Sequence, residues 1–165
     1  MNQRRGRAGI RLPEAVVIGV LSTAVMTVAM QWLYTSLPRE EQYPLQPEEI
    51  AAVVEAKVFG RFLDEPQHMA LTLASHFGYG TTLGAVYSLL AERLPFKPPL
   101  SGVLYGVVVW AGSYLGWLPA FHVLRPATEF TPSRRSLLII SHLVWGACLG
   151  ILTHRYPSLK AKADL

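Results

Sequence analysis

Charge and cysteine are both scarce in this sequence of 165 residues. Cys148 is the only cysteine, which excludes a scaffold held together by disulfides within the chain. Only 16% of the residues are charged and 51% are hydrophobic, whereas average soluble domains have about 25% charged residues. Intrinsic disorder is excluded as well, because it requires low hydrophobicity together with high net charge. The charge is missing mainly from long continuous segments, and this pattern indicates a membrane protein.

Four segments are long and apolar enough to cross a bilayer, which takes about 20 residues in a helix. They cover residues 15–37, 69–91, 100–121 and 136–153. A soluble bundle is the alternative, but its helices would carry charges at intervals of three or four positions. The first segment exceeds the usual apolar core of a signal peptide, about 7–15 residues, so we expect it to be retained. The predicted fold class is an all-α integral membrane protein with four transmembrane helices in one domain, residues 15–155.

The remaining segments are two tails and the connections. Residues 1–14 form a basic tail, and residues 156–165 form a second tail that we expect to be unstructured. The first connection contains a predicted amphipathic helix at about 47–63, since Pro47 and the acidic Glu48 and Glu49 suit a helix start. This helix is expected to lie on the outer surface or to cap the bundle, with partner binding as the alternative.

Lysine and arginine near the ends of the spans predict the orientation in the membrane. Nine of these residues lie on the side of the two tails and six on the other side. Both termini are therefore predicted to be cytoplasmic. The net charge of +4 follows from these flanking residues, and no basic stripe with interleaved aromatic residues indicates nucleic-acid binding.

An internal repeat is the most specific pattern in the chain. Residues 75–84 align without gaps to residues 141–150 in the pattern S-H-x-x-[YW]-G-x-x-L-G. This predicts two tandem helical hairpins in parallel orientation. His76 and His142 are equivalent in the repeat and are expected at one depth of the membrane. Glycines at four-residue spacing predict close helix packing, and the candidates are Gly80, Gly84, Gly102, Gly106, Gly112, Gly116, Gly146 and Gly150.

The two repeated histidines are the candidate site residues, because histidine is rare inside a bilayer. His76 and His142 could each donate a hydrogen bond across a helix interface, respond to pH, or ligate haem or a metal. The spans contain no Asp, Glu, Lys or Arg, which argues against a conventional pump. No catalytic motif and no motif for a metal site is present. We therefore predict that the protein is not an enzyme and has no metal, with the histidine pair as a cofactor site only if haem binds.

The chain resembles the YagU-like family of small bacterial inner-membrane proteins over about residues 10–155. The resemblance rests on five short segments: His68-Met69, Ser75-His76, residues 91–97 of sequence AERLPFK, Gly102, and residues 141–145 of sequence SHLVW. Ser141 stands where the family has a small glycine before the histidine. The resemblance implies a multi-pass protein of the bacterial inner membrane. It adds no catalytic residue, because the family's biochemical function is poorly defined.

These observations favour a non-enzymatic inner-membrane protein that serves as an accessory or assembly element through helix packing. Its predicted partners are the bilayer and a larger membrane complex or a second copy of the chain. A pH-responsive or solute-conducting protein that uses His76 and His142 is the alternative. A haem-binding protein with both histidines as ligands is a third hypothesis.

Overall fold

The computed structural model describes residues 10–94, 96–97 and 99–163, without the side chains of residues 157–163. Regular structure in this part of the chain is helical. The α-helices are α1 (Leu12–Thr35), α2 (Gln46–Val54), α3 (Glu65–Leu90), α4 (Leu100–Ala111), α5 (Leu118–Ala120) and α6 (Pro132–Ala163). Two π-helical segments, Glu55–Phe59 and Gly112–Trp117, follow α2 and join α4 to α5.

Short-range hydrogen bonds set the ends of the helices. The Glu14 carboxylate accepts a hydrogen bond from the backbone N–H of Arg11 at 3.0 Å and so caps the start of α1. Asp64 caps α3 from the position before the helix, by accepting from the N–H of Gln67 at 3.1 Å. Gly60, with φ of 63°, ends the helical run that begins with α2, because glycine adopts this left-handed conformation without strain.

The four long helical segments pack in antiparallel pairs. Gly19 of α1 meets Gly84 of α3, whereas Thr27, two turns later, meets His76, so the two helices run in opposite directions. The pairs Gly102–Gly150 and Gly106–His142 show the same arrangement for α4 and α6. The Tyr105 hydroxyl donates to the carbonyl oxygen of Leu83, and the Ser113 hydroxyl pairs with that of Tyr79. The order of these contacts shows that the helical segment beginning with α4 is antiparallel to α3 as well. The helices α3 and α6 therefore run in the same direction.

The helix α6 lies in the middle of the bundle, where it contacts α1, α3 and α4. Trp145 and Leu149 of α6 are fully buried and pack with Ile18 and Tyr87. The outer faces carry large exposed apolar side chains, such as Val28 and Val108, while small hydroxyl residues are buried between the helices. Apolar residues outside and small polar residues inside are the arrangement expected in lipid.

Three helices of the described chain are long and apolar enough to cross a membrane. They cover Leu12–Thr35, Leu100–Ala120 and Pro132–Tyr156. The fourth predicted span corresponds to α3, which has 26 residues and thus the length to cross. Its lower apolarity comes from its hydroxyl residues, glycines and histidines, several of which face neighbouring helices.

Two predicted boundaries differ from the structure. The helix expected at 47–63 ends at Phe59, because Gly60 turns the chain, and Phe62 lies outside it. The prediction of an unstructured tail after Arg155 is wrong, since α6 continues to Ala163. The residues of this last stretch include leucine, alanine and lysine, which are strong helix formers and extend the helix beyond the apolar segment.

Candidate ligand-binding cavity between the helices

Both predicted site histidines line one cavity inside the bundle. The cavity has a volume of about 300 Å³ and is enclosed by α1, α3, the segment from α4 to α5, and α6, with Pro47 and Ile50 of α2 at one end. A volume of about 300 Å³ lies at the lower limit of small-molecule pockets. The repeat predicts that His76 and His142 share one depth, and the structure brings them to the same internal space.

His142 is buried, and the position of its ring hydrogen follows from its partner. Its Nδ1 lies 2.8 Å from the carbonyl oxygen of Leu138, one turn earlier in α6. A carbonyl oxygen only accepts, so Nδ1 carries the hydrogen in the neutral ring and Nε2 keeps an unshared electron pair. Within the described part of the chain Nε2 of His142 has no hydrogen-bond partner. The ring also contacts Tyr114 edge to face, with centroids 5.7 Å apart.

His76 carries its hydrogen on the other nitrogen. Its Nε2 lies 3.0 Å from Oγ1 of Thr27 across the α1–α3 interface. The Thr27 hydroxyl already donates its single hydrogen to the carbonyl oxygen of Thr23 at 2.8 Å. Thr27 must therefore accept from His76, which places the hydrogen on Nε2 and leaves Nδ1 as an acceptor. The cross-helix hydrogen bond considered from the sequence thus holds for His76, while His142 bonds within its own helix.

A hydroxyl pair forms a second polar group in the cavity wall. Oη of Tyr79 lies 2.9 Å from Oγ of Ser113, and Nε1 of Trp117 donates to the same Tyr79 oxygen at 3.2 Å. The two hydroxyls share one hydrogen bond, so one of their two hydrogens has no partner in the described structure, whichever group donates. The cavity therefore contains one spare hydroxyl donor beside the two imidazole acceptors.

The rest of the wall is mostly apolar and aromatic, apart from Thr23 and Ser75, whose hydroxyls donate to carbonyl oxygens of their own helices. None of the described residues that line the cavity is Asp, Glu, Lys or Arg. The aromatic rings of Tyr79, Tyr114, Trp117 and Trp145 lie around the same space. A charged ligand would be left unpaired in such surroundings, whereas an uncharged ring would pack against the aromatic side chains.

The cavity adjoins the only break in helical geometry within the three apolar helices as described. Ser113, Tyr114 and Trp117 belong to the π-helical segment Gly112–Trp117, where Gly116 has a non-helical φ of −110° and ψ of −106°. Single π turns inside α-helices occur frequently at functional sites. The irregular segment turns three polar or aromatic side chains toward the cavity.

Six of the eight predicted packing glycines lie at close helix contacts. A Cβ atom at Gly80 would lie 2.5 Å from Oγ1 of Thr23, and one at Gly84 would lie 2.8 Å from Cα of Gly19. Added carbons would also meet backbone atoms of a neighbouring segment at the other four positions, which are Gly102, Gly106, Gly146 and Gly150. These contacts are made between helices of the same chain, and they bring the walls of the cavity together.

Gly112 and Gly116 are not at such contacts, contrary to the spacing argument. A Cβ atom at Gly112 would meet no described heavy atom within 4 Å, and one at Gly116 would meet only a carbonyl oxygen of its own segment at 3.9 Å. The π-helical geometry changes the angle between successive residues, so the four-residue spacing no longer places both glycines on one face. Gly19 makes a close contact that the spacing argument left out, because a single glycine in α1 forms no GxxxG pattern.

Several residues that line the cavity or bond to its histidines give little signal in the sequence. Trp117 lies near a span end, where an interfacial anchor is expected, yet its indole N–H donates to the Tyr79 hydroxyl at the cavity wall, and both side chains are partly exposed. Thr27 and Ser113 are ordinary small residues of apolar helices. Thr27 and Ser113 acquire a role only through contacts between helices that are distant in sequence. The one signal for them in the sequence is that they lie on the same helix face as other polar residues.

Two acidic side chains of the first connection have shifted pKa values. Burial raises the pKa of Glu49, although the positive charges of Arg134 and Arg125 act in the opposite direction. Burial would also raise the pKa of Glu55, but hydrogen bonds from His68 and from the Leu63 N–H, with the charge of His68, lower it overall. Nδ1 of His68 lies 2.7 Å from Oε1 of Glu55, which ties the end of this connection to α3.

No group of three or more His, Cys, Asp or Glu side chains that could hold a metal ion occurs among the described residues. The unused hydrogen-bonding capacity of the cavity thus includes two imidazole nitrogens and one hydroxyl hydrogen. This set suits recognition of an uncharged molecule by hydrogen bonds.

The described fold is that of a helical bundle in which three helices are long and apolar enough to span a membrane. The chain belongs to a family described as Protein of unknown function (DUF1440), whose model matches residues 54–151, more than half of the chain. The matched region contains both cavity histidines and the hydroxyl pair. No curated protein and no solved structure matches the chain.

Proposed function

We propose that the protein is a non-enzymatic, multi-pass membrane protein that binds a small apolar molecule between its helices. The observation that carries this proposal is the cavity of about 300 Å³ that both His76 and His142 line. In a bilayer, such a space is open to lipophilic molecules that dissolve in the membrane. Binding without catalysis is the simplest role for a site whose polar groups are positioned only for hydrogen bonding.

Four spans are part of the proposal, with α3 as the additional one. The length of α3, its antiparallel contact with α1 and the exposed apolar side chains on its outer face support a transmembrane position. Its polar residues face neighbouring helices, for example Ser88, whose hydroxyl lies 3.1 Å from that of Thr153. Polar groups satisfied between helices are compatible with a lipid environment. Four spans place both termini on one side, which we propose is the cytoplasm.

A duplicated hairpin also belongs to this proposal. The contact between Gly19 and Gly84 corresponds, under the repeat alignment, to the contact between Gly102 and Gly150. Helices α3 and α6, which carry the repeated Ser-His step, run in the same direction. Both features support two parallel hairpins with the cavity between them. We further propose, from the motifs quoted above, that the chain is a YagU-like protein of the bacterial inner membrane.

The cavity is tested with an uncharged bicyclic probe, naphthalene, on the full chain in lipid nanodiscs. Equilibrium dialysis against empty nanodiscs measures the naphthalene bound to the protein itself. The variant Val109→Phe places a larger side chain at a position that lines the cavity. It is expected to reduce naphthalene binding at least about tenfold, because a packed interior has no room for the phenylalanine ring and naphthalene together. Val108→Phe is the matched control, since Val108 is 66% exposed on the outer face of the same helix.

Equal binding to the protein, to Val109→Phe and to Val108→Phe would contradict the proposal, because the probe would then bind to the surface or the lipid alone. Circular dichroism and gel filtration of each variant establish that it has the fold of the parent protein. Binding lost in both variants would point to a disturbed bundle, and Val109→Ile then serves as the milder cavity variant.

A haem held by both histidines is the third hypothesis from the sequence, and we propose that no haem binds. Each imidazole has a free nitrogen, but a cavity of about 300 Å³ without charged lining residues suits a smaller, uncharged molecule. An absorbance spectrum of protein expressed with added haem distinguishes haem binding from binding of a smaller, uncharged molecule. A Soret band that disappears in His142→Phe would contradict our proposal.

The accessory role predicted from helix packing is a second candidate. The close glycine contacts favour tight packing, but the partner helices belong to this chain. Co-purification with a larger complex in mild detergent would support that role, whereas a monomer that binds naphthalene supports the cavity. The pH-responsive or conducting alternative predicts that His76→Gln together with His142→Gln changes the pH profile of stability between about pH 5 and 7.5.

A further inference from the structure

We propose that the molecule bound in the cavity is an uncharged ring compound with a hydroxyl group, which donates a hydrogen bond to a histidine of the pair. This inference rests on the proposed function, since it names the class of ligand that the same cavity binds. It follows from the hydrogen-bonding capacity that the lining residues leave unused.

Each of the two cavity histidines keeps one ring nitrogen that can accept a hydrogen bond. The Leu138 carbonyl oxygen fixes the hydrogen of His142 on Nδ1, and the Thr27 hydroxyl fixes that of His76 on Nε2. These partners are different in kind and position, yet each leaves the remaining ring nitrogen with an unshared pair. A ligand that fills the cavity removes water from these nitrogens, and an O–H donor on the ligand avoids the free-energy cost of leaving them unpaired.

The hydroxyl pair of Tyr79 and Ser113 adds the complementary capacity. One of their two hydrogens has no partner in the described structure, so the pair can donate to a ligand oxygen. A hydroxyl group is the smallest group that both donates and accepts, and it therefore matches an imidazole acceptor and a hydroxyl donor together. An ether or a hydrocarbon would leave the imidazole nitrogens unpaired.

The shape and charge of the wall define the rest of the ligand. Four aromatic side chains surround the space, which favours a flat ring over a long chain because rings pack edge to face or offset. The described lining contains no charged residue, which excludes an ionised group from the same position. The volume accommodates one or two fused rings, considering that a cavity of about 150 Å³ holds benzene.

The test compares 1-naphthol with its methyl ether, 1-methoxynaphthalene, on the full chain in nanodiscs. The two probes share the ring system and the oxygen, but only 1-naphthol donates a hydrogen bond. After subtraction of binding to Val109→Phe in the same lipid, 1-naphthol is expected to bind about tenfold more tightly than the ether. In His142→Phe the preference is expected to disappear through weaker 1-naphthol binding, with the ether unaffected.

Ether binding by His142→Phe also controls for folding of that variant, and His76→Phe tests the second acceptor with the same probes. Equal affinities of the parent protein for the two probes, with both lost in Val109→Phe, would overturn the ligand class while leaving the cavity proposal intact. No binding of either probe above the Val109→Phe level, together with no binding of naphthalene, would overturn the cavity proposal itself. A preference for 1-naphthol that persists in both histidine variants would also contradict the inference.

Discussion

Gly84 of α3 faces Gly19 of α1 so closely that a Cβ atom at Gly84 would lie 2.8 Å from the Cα atom of Gly19. Leu149 of α6 lies on the other side, with its Cδ2 atom 3.1 Å from the same point. Three helices therefore meet at one residue without a side chain. This contact fixes the spacing between α1, α3 and α6, three of the helices that line the cavity.

Gly84→Ala is expected to lower the free energy of unfolding by about 1–3 kcal/mol, because the added methyl group overpacks a contact between backbones. Thermal unfolding followed by circular dichroism in detergent measures the change. Gly78→Ala is the control on the same helix, since a Cβ atom at Gly78 meets no described atom within 4 Å. Equal stability of the two variants would contradict close packing at Gly84.

The Glu55–His68 contact makes stability depend on pH in the acid range. The pKa of Glu55 is lower in the folded protein than its ordinary value of 4.5, because the hydrogen bonds and the charge of His68 outweigh the effect of burial. The stabilisation from the ionised carboxylate is therefore fully present above about pH 4.5 and is lost as the pH falls through the lower folded value. Thermal unfolding between about pH 3 and 6 measures this loss.

Glu55→Gln is expected to remove this part of the pH dependence, since glutamine does not titrate. Glu48→Gln, at a half-buried position of the preceding helix α2, is the matched control. A pH profile of Glu55→Gln that superimposes on that of the parent protein would show that the contact contributes nothing.

Arg134 holds the first connection against the bundle. The guanidinium is almost fully buried, with 1% of the residue exposed, and it donates to the carbonyl oxygens of Glu41, Tyr43 and Pro44 at 2.8–3.2 Å. It also lies over the Tyr43 ring, 3.8 Å from the centroid. Its substitution removes three hydrogen bonds to carbonyl groups of this connection, at a cost of about 1–3 kcal/mol.

Arg134→Met is therefore expected to release the segment from residue 38 to 45. Limited proteolysis in detergent measures the effect, with cleavage in this segment at least about tenfold faster than in the parent protein. Arg39→Met, at an exposed position of the same segment, is the control that changes charge without removing these bonds. Unchanged cleavage of Arg134→Met would refute the role of Arg134 as an anchor.

The number of spans predicts where the termini lie. With α3 across the membrane both termini lie on the same side, which we propose is the cytoplasm, whereas three spans would separate them. In a Cys148→Ser background, cysteines introduced as Asn2→Cys and Asp164→Cys are expected to react with an impermeant maleimide only after lysis of spheroplasts. Glu40→Cys, in the outer connection, should react in intact spheroplasts. Labelling of one terminus in intact spheroplasts would contradict four spans.

Length and apolarity made the helical class predictable from the sequence. The uncharged segments become α1, α4 to α5, and α6, because a backbone without charged side chains satisfies its polar groups best as a helix in lipid. The glycine spacing likewise anticipates contacts at Gly80, Gly102 and Gly146, since small residues allow backbones to approach. These are properties of single segments, and they do not depend on which helix is the neighbour.

The sequence by itself singled out His76 and His142, because a repeated Ser-His step is rare in apolar segments. Only the tertiary structure decided what those rings present, since Thr27 and Leu138 fix their hydrogens and Tyr79, Ser113 and Trp117 complete the wall. These partners come from different helices and from a π-helical turn that breaks the regular spacing. A cavity is the space left by all its neighbours, so it depends on pairing between distant segments that no local pattern specifies.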